Sequence, residues 1–326
     1  MSTKYTFLLP AYKPDFFEVA LRSIKSETYS DFKVLVSDDC SPHDLKSIYN
    51  KVCGDDARFS YRRNEVNMGS KSLVSHWNLL VDMCDTEFFI LASDDDVYSP
   101  YFLEEVDKLV CKYPNVDLFH ARIQTIDELG EVTMKDASYE EYATQLEFLS
   151  FVDEKDHQEC VPNYVYRTHK LKQLGGYIDL PLAWFSDTAT NNLMAANGCV
   201  STQDILFSFR MSGQNISCIN KANSNVSLKK IEATYAFYLH ITKLFDEKPQ
   251  GKTKLDKHIW VKAYNAQMHA IVKSFQYYST VLPFHQLVRL IKFMSKQQLI
   301  HTKYEKIKFI TKWLYAKKYI DILNLI

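Results

Sequence analysis

No Gly-x-Gly-x-x-Gly follows the first apolar segment of this sequence, and the residues standing there, PAYKPD, supply no phosphate-cradling loop. A dinucleotide oxidoreductase and a sugar nucleotidyltransferase are both disfavoured by that absence. The seven cysteines (Cys40, Cys53, Cys84, Cys111, Cys160, Cys199 and Cys218) include no CxxC pair and no Cys/His ligand spacing. Neither a structural zinc motif nor a disulfide framework is indicated, and a reducing cytosol fits. No apolar run approaches the ~18 residues of a spanning helix. The opening residues, MSTKYTFLLPAYKPD, lack the longer apolar core of a cleavable signal. The expectation is a cytoplasmic protein, neither secreted nor integral to a membrane. With 46% hydrophobic and 24% charged residues, collagen, coiled coil and intrinsic disorder are excluded as well.

What is present divides by charge. Residues 221–326 hold 19 Lys and Arg against 6 Asp and Glu, a net of +13, whereas residues 1–220 hold 20 against 34, a net of −14. The near-neutral total of −1 conceals two differently charged segments. A chain of 326 residues accommodates one main domain with an appended element.

Hydrophobic spacing sorts the first 110 residues into alternating strands and helices. YTFLLP (5–10) reads as a buried strand, and Phe17, Ala20, Leu21 and Ile24 recur at helical spacing within 15–25. FKVLVSDD (32–39) is a second strand, followed by a polar loop and the helical stretch DLKSIYNKV (44–52), and RFSYRR (58–63) is a third. Leu73, Trp77, Leu80 and Val81 mark a helix over 71–83, after which EFFILAS runs straight into Asp94, Asp95 and Asp96. Ser99 and Pro100 are the expected cap and first-turn residue of a helix bearing Phe102, Val106, Leu109 and Val110. This alternation predicts an α/β fold with a largely parallel sheet, whose ligands gather at the carboxyl ends of the strands. From Ser227 onward the spacing is helical, broken at DEKPQGK (246–252).

Three adjacent carboxylates repel one another, and a hard divalent cation, Mg²⁺ or Mn²⁺, is the usual way to neutralise them. A solvated acidic turn is the plain alternative. Asp38-Asp39 reads as a nucleobase or ribose acceptor, or equally as a helix cap or Asx-turn. Tyr12 offers a stacking face for a base or is an ordinary exposed loop tyrosine. His76 and Trp77 fall in a helix, where packing is the expected role.

Taken in order, FLLPAYKP, LRSIKSETYSDFKVLVSDDCSPHD, NEVNMGSKSLVSHWN and FFILASDDDVYSP closely resemble the family 2 glycosyltransferases, which have the GT-A nucleotide-sugar-binding fold. The resemblance extends through YVYRTHKLKQLGGY and FSDTATNNLMAANG to FRMSGQNIS, covering roughly residues 4–217. It implies a GT-A catalytic domain over 1–220, with a nucleotide-binding part over about 1–115 and an acceptor part over about 116–220, and a basic, mainly helical region over 221–326. It further implies that Pro10, Tyr12, Asp39 and Asp94 bind the nucleotide, and that Asp95, with Asp96, holds Mn²⁺ or Mg²⁺ under the donor diphosphate. Ser93 stands where many members have Asp, so Asp94 and Asp96 rank below Asp95. Asp187 matches the catalytic base, although Ser186 replaces the usual preceding Glu, and helix capping is its other reading. Asn78 matches a structural helix asparagine. Arg210 faces the diphosphate or forms a surface ion pair.

The implied activity is inverting transfer from a nucleotide-sugar, UDP-linked by expectation, to a saccharide or lipid-linked saccharide acceptor in surface-polysaccharide assembly. A non-catalytic sugar-binding or membrane-associated scaffold is the alternative outside enzymes, although Asp39, Asp95 and Asp187 are all present. In residues 284–296, Leu287, Leu290, Ile291 and Met294 form an apolar face beside Arg289, Lys292 and Lys296. That arrangement suits a peripheral contact with an anionic membrane surface, or else packs its apolar side within the protein. Nucleic acid is not an expected partner, since the first segment is acidic.

Overall fold

A computed structural model describes residues 3–153, 160–213, 224–246 and 254–323, and the chain divides into two compact units. The expected boundary at 220/221, the DEKPQGK break beyond Asp246, the end of FRMSGQNIS after Gly213, and Cys218 lie outside the described residues.

The first unit opens with β1 (Tyr5–Ala11), α1 (Phe17–Lys25), β2 (Phe32–Asp38), α2 (Leu45–Cys53), β3 (Phe59–Arg63), α3 (Leu73–Met83) and β4 (Phe88–Leu91). It continues through β5 (Val97–Tyr98), α4 (Phe102–Lys112), β6 (Leu118–Ile126), β7 (Val132–Lys135), β8 (Tyr142–Ala143) and α5 (Gln145–Ser150). Then follow β9 (Tyr164–Arg167), α6 (Thr168–Gln173), α7 (Ser186–Met194) and β10 (Cys199–Arg210). Along one sheet the order is β3-β2-β1-β4-β9-β6-β10-β5, with β7 on β6 and β8 on β10. β3, β2, β1 and β4 are mutually parallel, whereas β9 runs antiparallel to both β4 and β6.

β1, β2 and β4 read as near-continuous apolar runs because helices cover both faces of a parallel sheet. Tyr5, Phe7 and Leu9 share a core with Phe17, Leu21 and Ile24 of α1 and with Phe102 and Val106 of α4, all buried. The chain adds β2 and β3 on one side of β1 and then returns to place β4 on the other. Strand order therefore reverses between β1 and β4, and in such sheets ligands bind at the carboxyl ends of the strands at that point. Pro10 falls past the last β1–β4 pair, Leu8 with Leu91, where its missing N–H breaks no ladder bond to β4.

One helix starts later than its residues suggest. Ser99 N donates to Leu206 O at 2.9 Å, continuing the β5–β10 pairing, so Ser99 and Pro100 form a turn and α4 begins at Phe102. The Leu103 amide in its first turn is taken by Glu27 Oε2 at 3.0 Å.

The second unit consists of α8 (Ser224–Leu244), α9 (Lys254–Tyr278), α10 (Phe284–Lys296) and α11 (Lys303–Leu323), joined by residues 149–153 and 180–185 from earlier in the chain. Phe185 stacks on Phe237 at 4.4 Å between ring centres, Trp184 Nε1 donates to Ser274 Oγ at 3.3 Å, and Gln267 Nε2 donates to Leu149 O at 2.7 Å. The wholly buried Lys230 lies over Trp184 and donates to Tyr278 Oη at 3.2 Å. Leu287, Ile291 and Met294 of α10 are buried in this unit. Of the two readings open to this face, a membrane contact or packing within the protein, these three residues follow the second, as an amphipathic helix does when its apolar stripe finds a protein surface. Among the described residues, no helix is long and apolar enough to cross a membrane.

Candidate active site

At the β1/β4 reversal the two strand-end loops are tied together. Asp94 Oδ2 accepts the backbone amides of Tyr12 (2.8 Å) and Lys13 (2.7 Å), and Lys13 Nζ reaches Asp95 Oδ2 at 2.5 Å and Asp94 Oδ1 at 3.6 Å. Burial works against the Lys13 charge, but Asp94 and Asp95 outweigh it and raise its pKa above the ordinary lysine value. Asp94, buried, is pushed up by desolvation against the pull of Lys13. Asp96 is deeper still. Its Oδ1 accepts Arg210 N at 2.8 Å, its Oδ2 accepts the Ser93 hydroxyl, and burial, with Asp95 adding repulsion, pushes it up to about 8. Ser93 thus serves as the donor that satisfies Asp96.

Arg210, the last residue of β10, is 4% exposed. Its Nε donates to Asp95 O at 2.9 Å and its Nη1 to Asp127 O at 2.9 Å, while the guanidinium lies 4.3 Å from the Phe16 ring centre. Two of the donors expected on a diphosphate or in a surface ion pair, Nε and Nη1, are aimed at backbone carbonyls, one of them in the acidic turn itself.

The second strand's pair is equally engaged. Asp38 accepts Ser41 N (2.8 Å), Tyr61 Oη (2.6 Å) and the Arg63 guanidinium. Asp39 accepts Asn64 Nδ2 (2.8 Å), Met68 N (2.9 Å) and Gly69 N (2.8 Å), which folds the 64–69 loop over it. Desolvation is the largest influence on Asp39 and raises it, yet these donors together hold its pKa below the usual carboxylate range. His76, 3.7 Å from Asp39, is pushed down by burial and shares Ser37 Oγ at 3.0 Å, a packing role. Ser41 Oγ donates to Tyr12 O at 2.6 Å, linking this loop to the first, and leaves the Tyr12 ring 41% exposed.

Asp187 lies in the first turn of α7, its Oδ1 accepting Thr188 N at 2.8 Å, and burial raises its pKa. Among the described residues, no hydrogen bond or ion pair joins it to the acidic turn. The backbone just before it is strained, with left-handed φ at Leu182 (59°), Ala183 (56°) and Phe185 (66°), each costing roughly 1–3 kcal/mol. Tyr177 is close enough for Asp187 to raise its hydroxyl pKa, after the larger effect of burial. Asn78 clasps Tyr177 at both backbone groups, Nδ2 to O at 2.9 Å and Oδ1 from N at 2.7 Å. A Cβ at Gly176, whose φ is +86°, would lie 2.5 Å from Asn78 Oδ1, which is why this turn takes glycine.

Lys13, Asn64 and Tyr177 lie within FLLPAYKP, NEVNMGSKSLVSHWN and YVYRTHKLKQLGGY, yet spacing assigns none of them a role, and Arg63 lies just outside these motifs. Asp95 and Asp94 Oδ1 are the carboxylate oxygens of the turn that face a cation, and at present that cation is an ammonium. Among the described residues, no group of three His, Cys, Asp or Glu is arranged to enclose a metal. The donor set still fits Mg²⁺ or Mn²⁺, which take one or two carboxylates and complete their shell with phosphate oxygens and water.

A family model for glycosyl transferase family 2 matches residues 6–175. Residues 1–349 of S. aureus TarS, in a structure with UDP-GlcNAc, align over 98% of this chain and 91% of that one at 16% identity and a TM-score of 0.57. A mannosyltransferase from Pyrobaculum calidifontis, in complex with GDP-Man and Mn²⁺, aligns over 98% and 87% at 14% identity and a TM-score of 0.52. No curated protein matches the chain significantly. Likeness at these identities shows the fold, the GT-A arrangement of a mixed sheet between helices.

Proposed function

The chain belongs to glycosyl transferase family 2, and from that premise we propose a metal-dependent, inverting enzyme that moves a sugar from a UDP-sugar to a saccharide or lipid-linked saccharide acceptor in surface-polysaccharide assembly. The observation that carries this reading is the tying of Tyr12 and Lys13 to Asp94 and Asp95 where strand order reverses. In this proposal the Tyr12 ring stacks on the base, Asp39 accepts from it, and Pro10 and Asp94 shape the floor. Asp95, with Asp96 behind it, faces the diphosphate. Asp187 takes the proton of the acceptor hydroxyl as that oxygen attacks the anomeric carbon opposite the departing diphosphate, inverting the centre. A bound divalent ion supplies Lewis-acid neutralisation of the leaving group. Arg210 positions the acidic turn rather than meeting phosphate.

Calorimetric titration with UDP, with and without Mn²⁺, tests the donor site. Wild type is expected to bind UDP at least about tenfold more tightly with Mn²⁺, a difference of about 1.4 kcal/mol, and Asp95→Ala to lose most of that gain. Equal metal dependence in the variant would remove Asp95 from the site. No UDP binding by wild type in either condition would sink the UDP assignment.

We propose as well a peripheral contact with an anionic membrane through α11, since Leu287, Ile291 and Met294 of α10 are buried. Tyr304, Ile307 and Leu314 are exposed along α11 and flanked by Lys303 and Lys308, an arrangement suited to lying in a headgroup layer. Co-sedimentation with vesicles rich in phosphatidylglycerol is expected to exceed that with phosphatidylcholine alone, and Ile307→Glu with Leu314→Glu to reduce it severalfold. Equal sedimentation with both vesicle types would end the membrane reading.

A further inference from the structure

We propose that Lys13 is a tethered cation that competes with a divalent metal for Asp95 and yields the carboxylate when a nucleoside diphosphate binds. The inference rests on the donor-site reading above. Its basis is that the acidic turn already holds a cation: the Lys13 ammonium is 2.5 Å from Asp95 Oδ2 and 3.6 Å from Asp94 Oδ1.

The backbone and the side chain of Lys13 are held differently. Its amide donates to Asp94 Oδ2 at 2.7 Å and Pro14 follows, so the Cα is fixed beside the turn. The four-methylene side chain is 29% exposed, and its one hydrogen-bonded contact to the turn is at its tip. It can swing while its root stays in place.

The electrostatics give the order of events. Asp95 is only 5% exposed, so leaving it unpaired is costly, and withdrawing Lys13 without a replacement partner leaves a buried carboxylate uncompensated. A metal arriving alone must therefore displace a short, charge-assisted contact and gains only Asp95 and one oxygen of Asp94, since Asp94 Oδ2 is held by two amides and Asp96 by Ser93 and Arg210. A diphosphate changes both sides of the exchange. Its oxygens accept the released ammonium and complete the coordination shell of the ion. Metal and nucleotide thus reinforce each other, by the same factor in either order of addition. A lysine serving only as a structural counter-ion would add stability to the turn and leave metal binding untouched.

The test is Mn²⁺ binding followed by electron paramagnetic resonance on wild type, Lys13→Met, Lys13→Gln and Lys13→Arg, with and without UDP, after thermal melting confirms that each is folded. Without UDP, the Met and Gln variants are expected to bind Mn²⁺ about tenfold more tightly than wild type, and the Arg variant to stay within threefold of it. With UDP present, the Met and Gln variants should lose most of their advantage, so the Mn²⁺–UDP coupling falls about tenfold. Unchanged nucleotide-free Mn²⁺ affinity in the Met and Gln variants, with UDP still bound, overturns the role of Lys13 alone. Failure of wild type to bind UDP overturns it together with the donor site.

Discussion

Asp187→Asn is expected to bind UDP as wild type does and to lose about 10²–10⁴-fold in turnover, measured as UDP release from a UDP-sugar in the presence of acceptor. Asparagine keeps the size of the side chain and a carbonyl oxygen at Oδ1, so the 2.8 Å bond from Thr188 N survives. It also caps a helix about as well as aspartate does, which makes this substitution the one that separates the two readings. Were Asp187 only a cap for α7, turnover would be unchanged. What asparagine removes is a basic oxygen whose pKa burial has raised, and a raised pKa is what strengthens a carboxylate as a base near neutral pH. Normal turnover by a folded Asp187→Asn enzyme would exclude the residue from proton transfer, while loss of UDP binding would place it in the donor site instead.

The strands of the parallel half were legible because β1 and β4 are buried on both faces with nearly unbroken apolar runs, and β2 alternates buried Phe32, Val34 and Val36 with half-buried Lys33 and Leu35. The carboxylates at their ends followed from that, since in such a sheet ligand groups collect on one edge. The insertion of β9 between β4 and β6 was not legible, because Tyr164–Arg167 pairs with residues some 45 to 80 positions away and local spacing is silent about such partners. Amphipathicity of α10 was readable, but it states only that a face must be buried, and Leu287, Ile291 and Met294 turned out to bury it against protein. The same limit applied to residues 180–185, which join the helical unit although they sit between motifs of the other. In the site, Asp39 and Asp95 stood out as paired acids after strands, whereas Lys13 and Arg210 act through partners about 80 and 115 residues distant. Spacing can name such a residue, as FRMSGQNIS names Arg210, but it is silent about the partner through which the residue acts.

Arg210→Met should lower stability by roughly 3 kcal/mol and weaken Mn²⁺-dependent UDP binding at least tenfold, although Arg210 is assigned no contact with phosphate. Methionine retains much of the buried stem, so the change isolates the guanidinium. Its loss leaves Asp95 O and Asp127 O without the donors now at 2.9 Å, in a place too buried for ready hydration. It also releases the backbone of a turn in which burial already pushes Asp96 up to about 8. The turn is then free to splay, and Asp95 with it. Arg210→Lys is not expected to rescue, because a single ammonium cannot reach two carbonyls that a planar fork bridges. Melting temperature and UDP calorimetry, measured on the same variant, discriminate the roles. A direct phosphate contact predicts weak UDP binding with an unchanged melting temperature. A strut for the acidic turn predicts that both fall together, since the geometry that holds Asp95 toward its cation is the same geometry that closes the end of β10.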